Sequence, residues 1–127
     1  MRNMSFILTT EQMKNRSKDV TRRLGWSFLK AGDVVMACVK CQGLGKGGKI
    51  EKIHPIRIVS VTREPLHAIW DVPIRDNKLE TTREGFPLMT SWQFIDMFRK
   101  EMKCLSCDMV NRIEFEHLGG NGKGIIC

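Results

Sequence analysis

The sequence predicts an α+β domain. Three observations lead there. Val34 to Lys40, Ile50 to Arg63 and Val110 to Leu118 are β-branched or alternating apolar stretches. Thr90-Ser91-Trp92-Gln93 opens a segment with helical apolar spacing. Glycine-bearing turns separate the strand-like stretches in the first half, as at Lys30-Ala31-Gly32-Asp33. A chain of 127 residues with 42% hydrophobic content suits one domain with one core. Pattern alone leaves open whether the strands form a sheet with helices or a small barrel with helices at its mouth.

In chain order, Met4 to Leu8 reads as a short first strand. Thr9 or Thr10 caps a short helix to about Ser17, with Glu11 and Gln12 near its positive end. A basic run follows at the helix exit, then a Gly25-Trp26 turn, with Trp26, Phe28 and Leu29 burying part of the next segment. Val34 to Lys40 is the next strand. Ile50 to Arg63 is one long bent strand, or two joined at Pro55. Pro65 to Trp70 makes one or two helical turns, and polar Asp71 to Thr82 has no clear pattern. A capping box from Thr90 to Gln93 starts a helix whose Phe94, Ile95, Phe98 and Met102 share a face, with Arg99, Lys100 and Lys103 at its C-terminal end. In the last strand Val110, Arg112 and Glu114 alternate with Ile113, Phe115 and His117. Residues 119–127 form a glycine-rich tail expected to be mobile.

The net charge of +7 is unevenly spread. Residues 1–63 hold 13 Lys/Arg against 4 Asp/Glu, while residues 64–127 hold 8 against 10. A one-sided field favours polyanions such as nucleic acid; the plainer reading is a solubilising surface. The apolar run at the N-terminus is too short for a signal peptide, and no run approaches a membrane span, so a cytoplasmic protein is expected.

Five cysteines include two Cys-x-x-Cys pairs, Cys38/Cys41 and Cys104/Cys107. In a cytosolic chain such pairs suggest a four-thiolate zinc site rather than disulfides, provided the fold unites them. Strand alternation would point Cys38 and Cys41 to opposite faces, which favours small buried side chains and exposed thiols instead. The Gly43–Lys49 loop carries Lys46 and Lys49. It lacks the phosphate-loop pattern and reads as a hairpin tip, or as a basic flap over a polyanion. Trp26, Trp70 and Trp92 are candidates for base stacking or for core packing. His54, His67 and His117 share no spacing that argues for a metal.

The most informative stretch is Lys18-Asp19-Val20-Thr21-Arg22-Arg23. Such crowded cations need a solvated face or an anion among them. Arg83-Glu84-Gly85-Phe86 offers a carboxylate beside a turn glycine. These two motifs, together with the Lys30–Asp33 turn, Ile56-Arg57-Ile58-Val59-Ser60-Val61 and Asn111-Arg112-Ile113-Glu114-Phe115-Glu116, resemble the ASCH domain family in order and spacing over residues 4–118. The chain looks especially like ASCH-type proteins of bacteriophages and prophages. The resemblance implies a small PUA-like β-barrel with flanking helices and an association with RNA. It also implies a cleft with Lys18, Thr21, Arg22 or Arg23, and Glu84 near its mouth. No cofactor is expected. Some ASCH relatives are amidohydrolases that deacetylate acetylcytidine with a lysine, a threonine three residues on and a distant glutamate; Lys18, Thr21 and Glu84 match that set. Others are linked to ribonuclease activity. The glycine-lysine loop, the Asp71–Thr82 segment and the Cys104/Cys107 pair depart from the family pattern.

In such a site Thr21 is the nucleophile and needs a base. Lys18 serves if burial or the Arg22 and Arg23 cations lower its pKa. Glu84 holds the base, shuttles a proton or accepts an exocyclic amine. The plainer reading is an ion pair of Glu84 with Lys18 or Arg22, and Thr21 as a turn residue. Three functions are therefore compatible with the sequence. The favoured one is an RNA- or nucleic-acid-binding module using Arg22, Arg23, Trp26, Lys46 and Lys49. The others are an amidohydrolase acting on an acylated nucleoside and a zinc-stabilised interaction domain.

Overall fold

The computed structural model describes residues 1–41 and 48–119. It is an α+β fold built on a mixed five-stranded sheet. The strands are β1 (Asn3–Ser5), β2 (Val20–Arg23), β3 (Val34–Cys38), β4 (Lys52–Pro65) and β7 (Met109–His117), in spatial order β1-β3-β4-β7-β2. β1 runs parallel to β3, and the remaining neighbours are antiparallel. A small hairpin pairs β5 (Ile74–Arg75) with β6 (Lys78–Leu79). Its turn residues Asp76 and Asn77 both have positive φ, as the tightest hairpin turns require. The helices are α1 (Thr10–Lys14), the single turns α2 (Ala68–Asp71) and α3 (Glu80–Arg83), and α4 (Ser91–Met102). No helix among the described residues is long and apolar enough to cross a membrane.

β4 is the organising strand. It pairs with β3 through its first half and with β7 along most of its length. A bulge between Ile58 and Ser60 resets its alternation. Ile56 and Ile58 before it, and Val61 after it, serve one core, with Met4, Phe6, Met13, Val35, Ile113 and Phe115. Glu64 is thereby turned to the opposite face. A second apolar cluster lies there, made of Leu66, Ile69, Val110 and the α4 residues Phe94, Ile95 and Phe98. β7 serves both sides: Ile113 and Phe115 enter the first core, and Val110 the second.

The sequence expectations hold best where the signal is local. Thr90 Oγ1 accepts from the Gln93 amide at 3.1 Å, and the Gln93 side chain accepts from the Thr90 amide at 2.9 Å, which is the expected capping box. The strand expected over Ile50 to Arg63 is single, runs from Lys52 to Pro65 and holds Pro55 inside it. Other expectations need correction. The first strand ends at Ser5, and Ile7–Thr9 forms a 3-10 turn. Thr9 caps nothing through its side chain; Thr10 Oγ1 instead donates to Phe6 O at 2.9 Å. Asp71–Thr82, unassigned from sequence, contains the β5–β6 hairpin and the start of α3. A closed barrel is not formed: among the described residues the ladder ends at β1 and β2. Among the described residues a side chain bridges the two edges, where Arg23 Nη2 donates to Ser5 O at 2.6 Å. Residues 120–127 of the expected tail lie outside the described residues.

Candidate functional site

A cavity of about 270 Å³ opens where the two sheet edges approach each other under α4. Lys18, Thr21, Arg22 and Glu84 supply its polar side. Phe6, Phe86, Phe94, Met97 and Phe98 supply its apolar wall.

Backbone bonds fix the segment that carries Lys18. The Ser17 and Lys18 amides donate to Gln12 O, the Asp19 amide to Arg83 O at 3.0 Å, and the Phe115 amide to Asp19 O at 3.0 Å. Glu84 is delivered from the other side by α3 and by Gly85, whose φ of +98° favours glycine. A Cβ at Gly85 would also meet Thr9 Cγ2 at 3.1 Å, so α3 docks closely on α1. Gln12 Nε2 donating to Gly85 O at 2.9 Å holds that contact.

Lys18 Nζ donates to the Glu84 main-chain carbonyl and lies 3.3 Å from Glu84 Oε1. Both side chains are buried. Burial pulls the Lys18 pKa down from 10.5 to about 8; Glu84 opposes the fall, and Arg23 and Arg22 add to it. A substantial fraction of this amine is therefore uncharged at mildly alkaline pH. Thr21 lies on β2, not in a turn, and its Oγ1 accepts from Arg23 Nε at 3.1 Å. Among the described residues the hydroxyl itself donates no hydrogen bond.

Behind this floor lies an ion cluster. Arg22 Nη1 meets Glu84 at 2.8 Å, and its Nη2 meets Glu80 at 2.7 Å and Glu64 at 3.0 Å. Arg112 grips both oxygens of Glu80 at 2.8 Å. Arg83 forks onto Asp19 at 3.0 and 3.1 Å, and Arg75 reaches Glu64 at 2.8 Å. The reason lies in the register: Arg22 and Arg112 are directly opposite on β2 and β7, a like-charge pair that needs an anion between them. Glu80, fully buried, is that anion. Burial alone would raise its pKa, but the bonds from Arg112 and the charge of Arg22 hold it at about 2. The anion expected among the crowded cations is thus supplied by the chain's own carboxylates.

A histidine pair supports Lys18 from below. His117 Nε2 lies 2.6 Å from Lys18 O, and His117 Nδ1 lies 2.7 Å from His54 Nε2. A carbonyl only accepts, so Nε2 of His117 carries the proton, and Nδ1 accepts from His54. Burial lowers both pKa values, that of His54 to about 4 with help from Arg16 and His117, so the relay is neutral at physiological pH.

The candidates from sequence divide as follows. Lys18, Thr21, Arg22, Arg23 and Glu84 line one cavity, although the Arg22 side chain is enclosed and bound to three carboxylates. Trp26 lines an adjoining cavity. Lys49 is exposed and lines neither cavity, and Lys46 lies outside the described residues. Trp70 and Trp92 stack on each other at 5.0 Å and also line neither.

The zinc expectation for Cys38, Cys41, Cys104 and Cys107 is not met among the described residues: no three His, Cys, Asp or Glu side chains are placed to hold a metal. The two pairs belong to different parts of the fold. Cys38 is buried at the end of β3, and Cys41 follows it half-buried. Cys104 and Cys107 lie between α4 and β7, where Cys104 packs against the second apolar cluster and Cys107 is exposed to solvent. Burial, with Cys41 beside it, pushes the Cys38 thiol up to about 11, so the free side chain is a neutral thiol. Burial raises the Cys104 thiol as well. Sequence reasoning missed Glu64, Glu80, Arg75, Arg83, Arg112 and the His54–His117 pair; only strand register and tertiary placement reveal them.

No protein-family model matches the chain, and no curated protein matches it. Solved structures do share its fold. The crystal structure of hypothetical protein PH0355 aligns with a TM-score of 0.59 at 13% identity, over 92% of this chain and 96% of that one. Protein EF3133 from Enterococcus faecalis V583, described with the family model DUF984, aligns with the same TM-score and identity over 92% of this chain and 79% of that one. At this identity the likeness establishes the fold alone.

Proposed function

We propose that the protein is a cytoplasmic amidohydrolase that removes an acyl group from the exocyclic amine of a nucleobase. The observation that carries the reading is Lys18, a buried amine with a pKa of about 8, in one cavity with Thr21 and Glu84. The resemblance to ASCH amidohydrolases supports the same three roles. The curled sheet is read as an open relative of the PUA-like barrel, with Arg23 spanning the gap.

Uncharged Lys18 accepts the Thr21 hydroxyl proton as Oγ1 attacks the amide carbon. The C–N bond breaks, and the amine leaves with the proton held by Lys18. Water then cleaves the acyl-threonine ester to the carboxylic acid, restoring the hydroxyl. Glu84 positions Lys18 through its carboxylate and its main-chain carbonyl.

The test is hydrolysis of acetylcytidine, followed by chromatography, with wild-type protein and Thr21→Ala. Turnover by the wild type and its loss in a variant with unchanged circular dichroism supports the roles. Failure of folded wild type to release cytidine and acetate overturns this reading for that substrate class. A second reading, nucleic-acid binding without chemistry, draws on the cationic first half, whose Arg2, Lys30, Lys40, Lys49 and Lys52 are exposed. It predicts affinity that falls steeply with added salt.

A further inference from the structure

Next to the candidate site lies a second cavity of about 350 Å³, lined by Asn3, Ser5, Ile7, Arg23, Trp26, Lys40 and Cys41. It shares Ser5, Ile7 and Arg23 with the first, so the two compartments meet at one guanidinium. We infer that this second compartment binds the phosphate of a phosphorylated ligand whose base occupies the first. The inference rests on the nucleobase reading above and narrows it from a nucleoside to a nucleotide.

Arg23 is the cation the two cavities share. Arg22, one residue before it, is bound to three carboxylates; Arg23 has none among the described residues. Its Nε donates to Thr21 Oγ1 and its Nη2 to Ser5 O, both neutral acceptors. A guanidinium has five N–H donors, so Nη1 remains to meet an anion. Its plane is fixed by those two bonds and by the Phe6 ring, 4.8 Å away. A cation held rigid at the border of two cavities, with donors unspent, suits the forked recognition of a phosphate. Lys40, exposed on the same cavity, adds a second positive charge.

Trp26 is the aromatic side chain of the second cavity. Its φ is +71°, a region that bulky residues avoid. The strain persists because the turn is pinned from β7: Asn111 Nδ2 donates to Gly25 O at 2.8 Å. Backbone strain of this kind marks places where a side chain must be presented in a particular way. Here it presents an indole to the cavity that contains Arg23 and Lys40. An aromatic face beside two cations matches a sugar or a neighbouring base attached to phosphate.

The experiment is calorimetric titration with cytidine, cytidine 5′-monophosphate and a cytidine-containing dinucleoside monophosphate, using wild type, Lys40→Ala and Arg23→Leu. The phosphorylated ligands are expected to bind at least tenfold tighter than cytidine to the wild type. In Lys40→Ala that ratio shrinks several-fold, and in Arg23→Leu it falls towards one. Lys40 is exposed, so its variant keeps the test valid if loss of the Arg23–Ser5 bond unfolds the other. A dinucleotide that binds tighter than the monophosphate, with quenching of indole fluorescence, identifies the source as a strand phosphate. A monophosphate that binds tighter identifies a free nucleotide. Equal affinity for cytidine and both phosphorylated ligands, or no binding of any, overturns the inference. The two readings fail separately. Tight nucleotide binding without hydrolysis of acetylcytidine or its 5′-monophosphate sinks the amidohydrolase and keeps the phosphate subsite. Hydrolysis of both with equal kcat/KM, together with equal affinities, does the reverse.

Discussion

Replacing Glu80 with glutamine tests whether the ion cluster is what fixes the floor of the cleft. The substitution keeps the shape and removes one charge. Glu80 accepts from Arg22 at 2.7 Å and from Arg112 twice at 2.8 Å, and it is fully buried. Glutamine offers one acceptor oxygen, and its NH₂ group would face guanidinium donors. Two opposed arginines on β2 and β7 then lose their shared anion. Breaking a buried ion pair in this way costs about 3–5 kcal/mol. Linkage gives a similar figure: a carboxyl held at about 2 against an ordinary 4.5 is worth about 3 kcal/mol at neutral pH. With an m value of about 2 kcal/mol/M, the urea midpoint should fall by roughly 1.5–2.5 M. The pH dependence has a definite sign. Because the folded pKa is depressed, the stabilisation is present above pH 4.5 and is lost as pH falls through about 2. The difference between wild type and Glu80→Gln should therefore be largest near neutrality and shrink in acid. A loss below about 1 kcal/mol at pH 7 with unchanged m would refute the argument.

Two further outcomes follow from the geometry. If Lys18 is the base, kcat/KM for the acylated substrate should rise with pH as its ammonium loses a proton, reaching half its plateau near pH 8; a flat profile from pH 6 to 10 removes Lys18 from that role. Gly85→Ala places a side chain at φ +98° and 3.1 Å from Thr9 Cγ2, so it should cost about 1–3 kcal/mol in urea denaturation; a neutral or stabilised variant would show that the α1–α3 contact is slack.

What is legible in the sequence follows from the range of each interaction. The Thr90–Gln93 capping box spans three residues and is complete in the local pattern. The last strand's alternation separates Val110 from Ile113 and Phe115 as expected. The Lys18–Glu84 meeting spans 66 residues, and the sequence offers it in advance only through opposite charge, as an ion pair of Glu84 with Lys18 or Arg22, and through the family resemblance. The rest is hidden by register. Nothing local in Arg112 says that it will face Arg22, and Glu80 is one more polar residue in a stretch without pattern. The bulge after Ile58 is equally silent in sequence, yet it turns Glu64 towards the cluster. The His54–His117 contact depends on the same pairing of distant strands. The cysteine spacing misleads for a related reason: among the described residues two correct local pairs are not brought together, because the fold sets Cys38 on β3 and Cys107 on an exposed turn before β7.

The placement of β2 at the sheet edge against β7 has a consequence for how the molecule is made. The ladder partners of Val20–Arg23 are Asn111–Glu114, roughly 90 residues later in the chain. During synthesis at roughly 5–20 residues per second, the early arginines wait several seconds for their strand and for the carboxylates of the Glu64–Glu84 region. The cleft is thus among the last features to assemble. In that interval the nascent chain carries Arg22 without the three carboxylates that neutralise it in the folded protein.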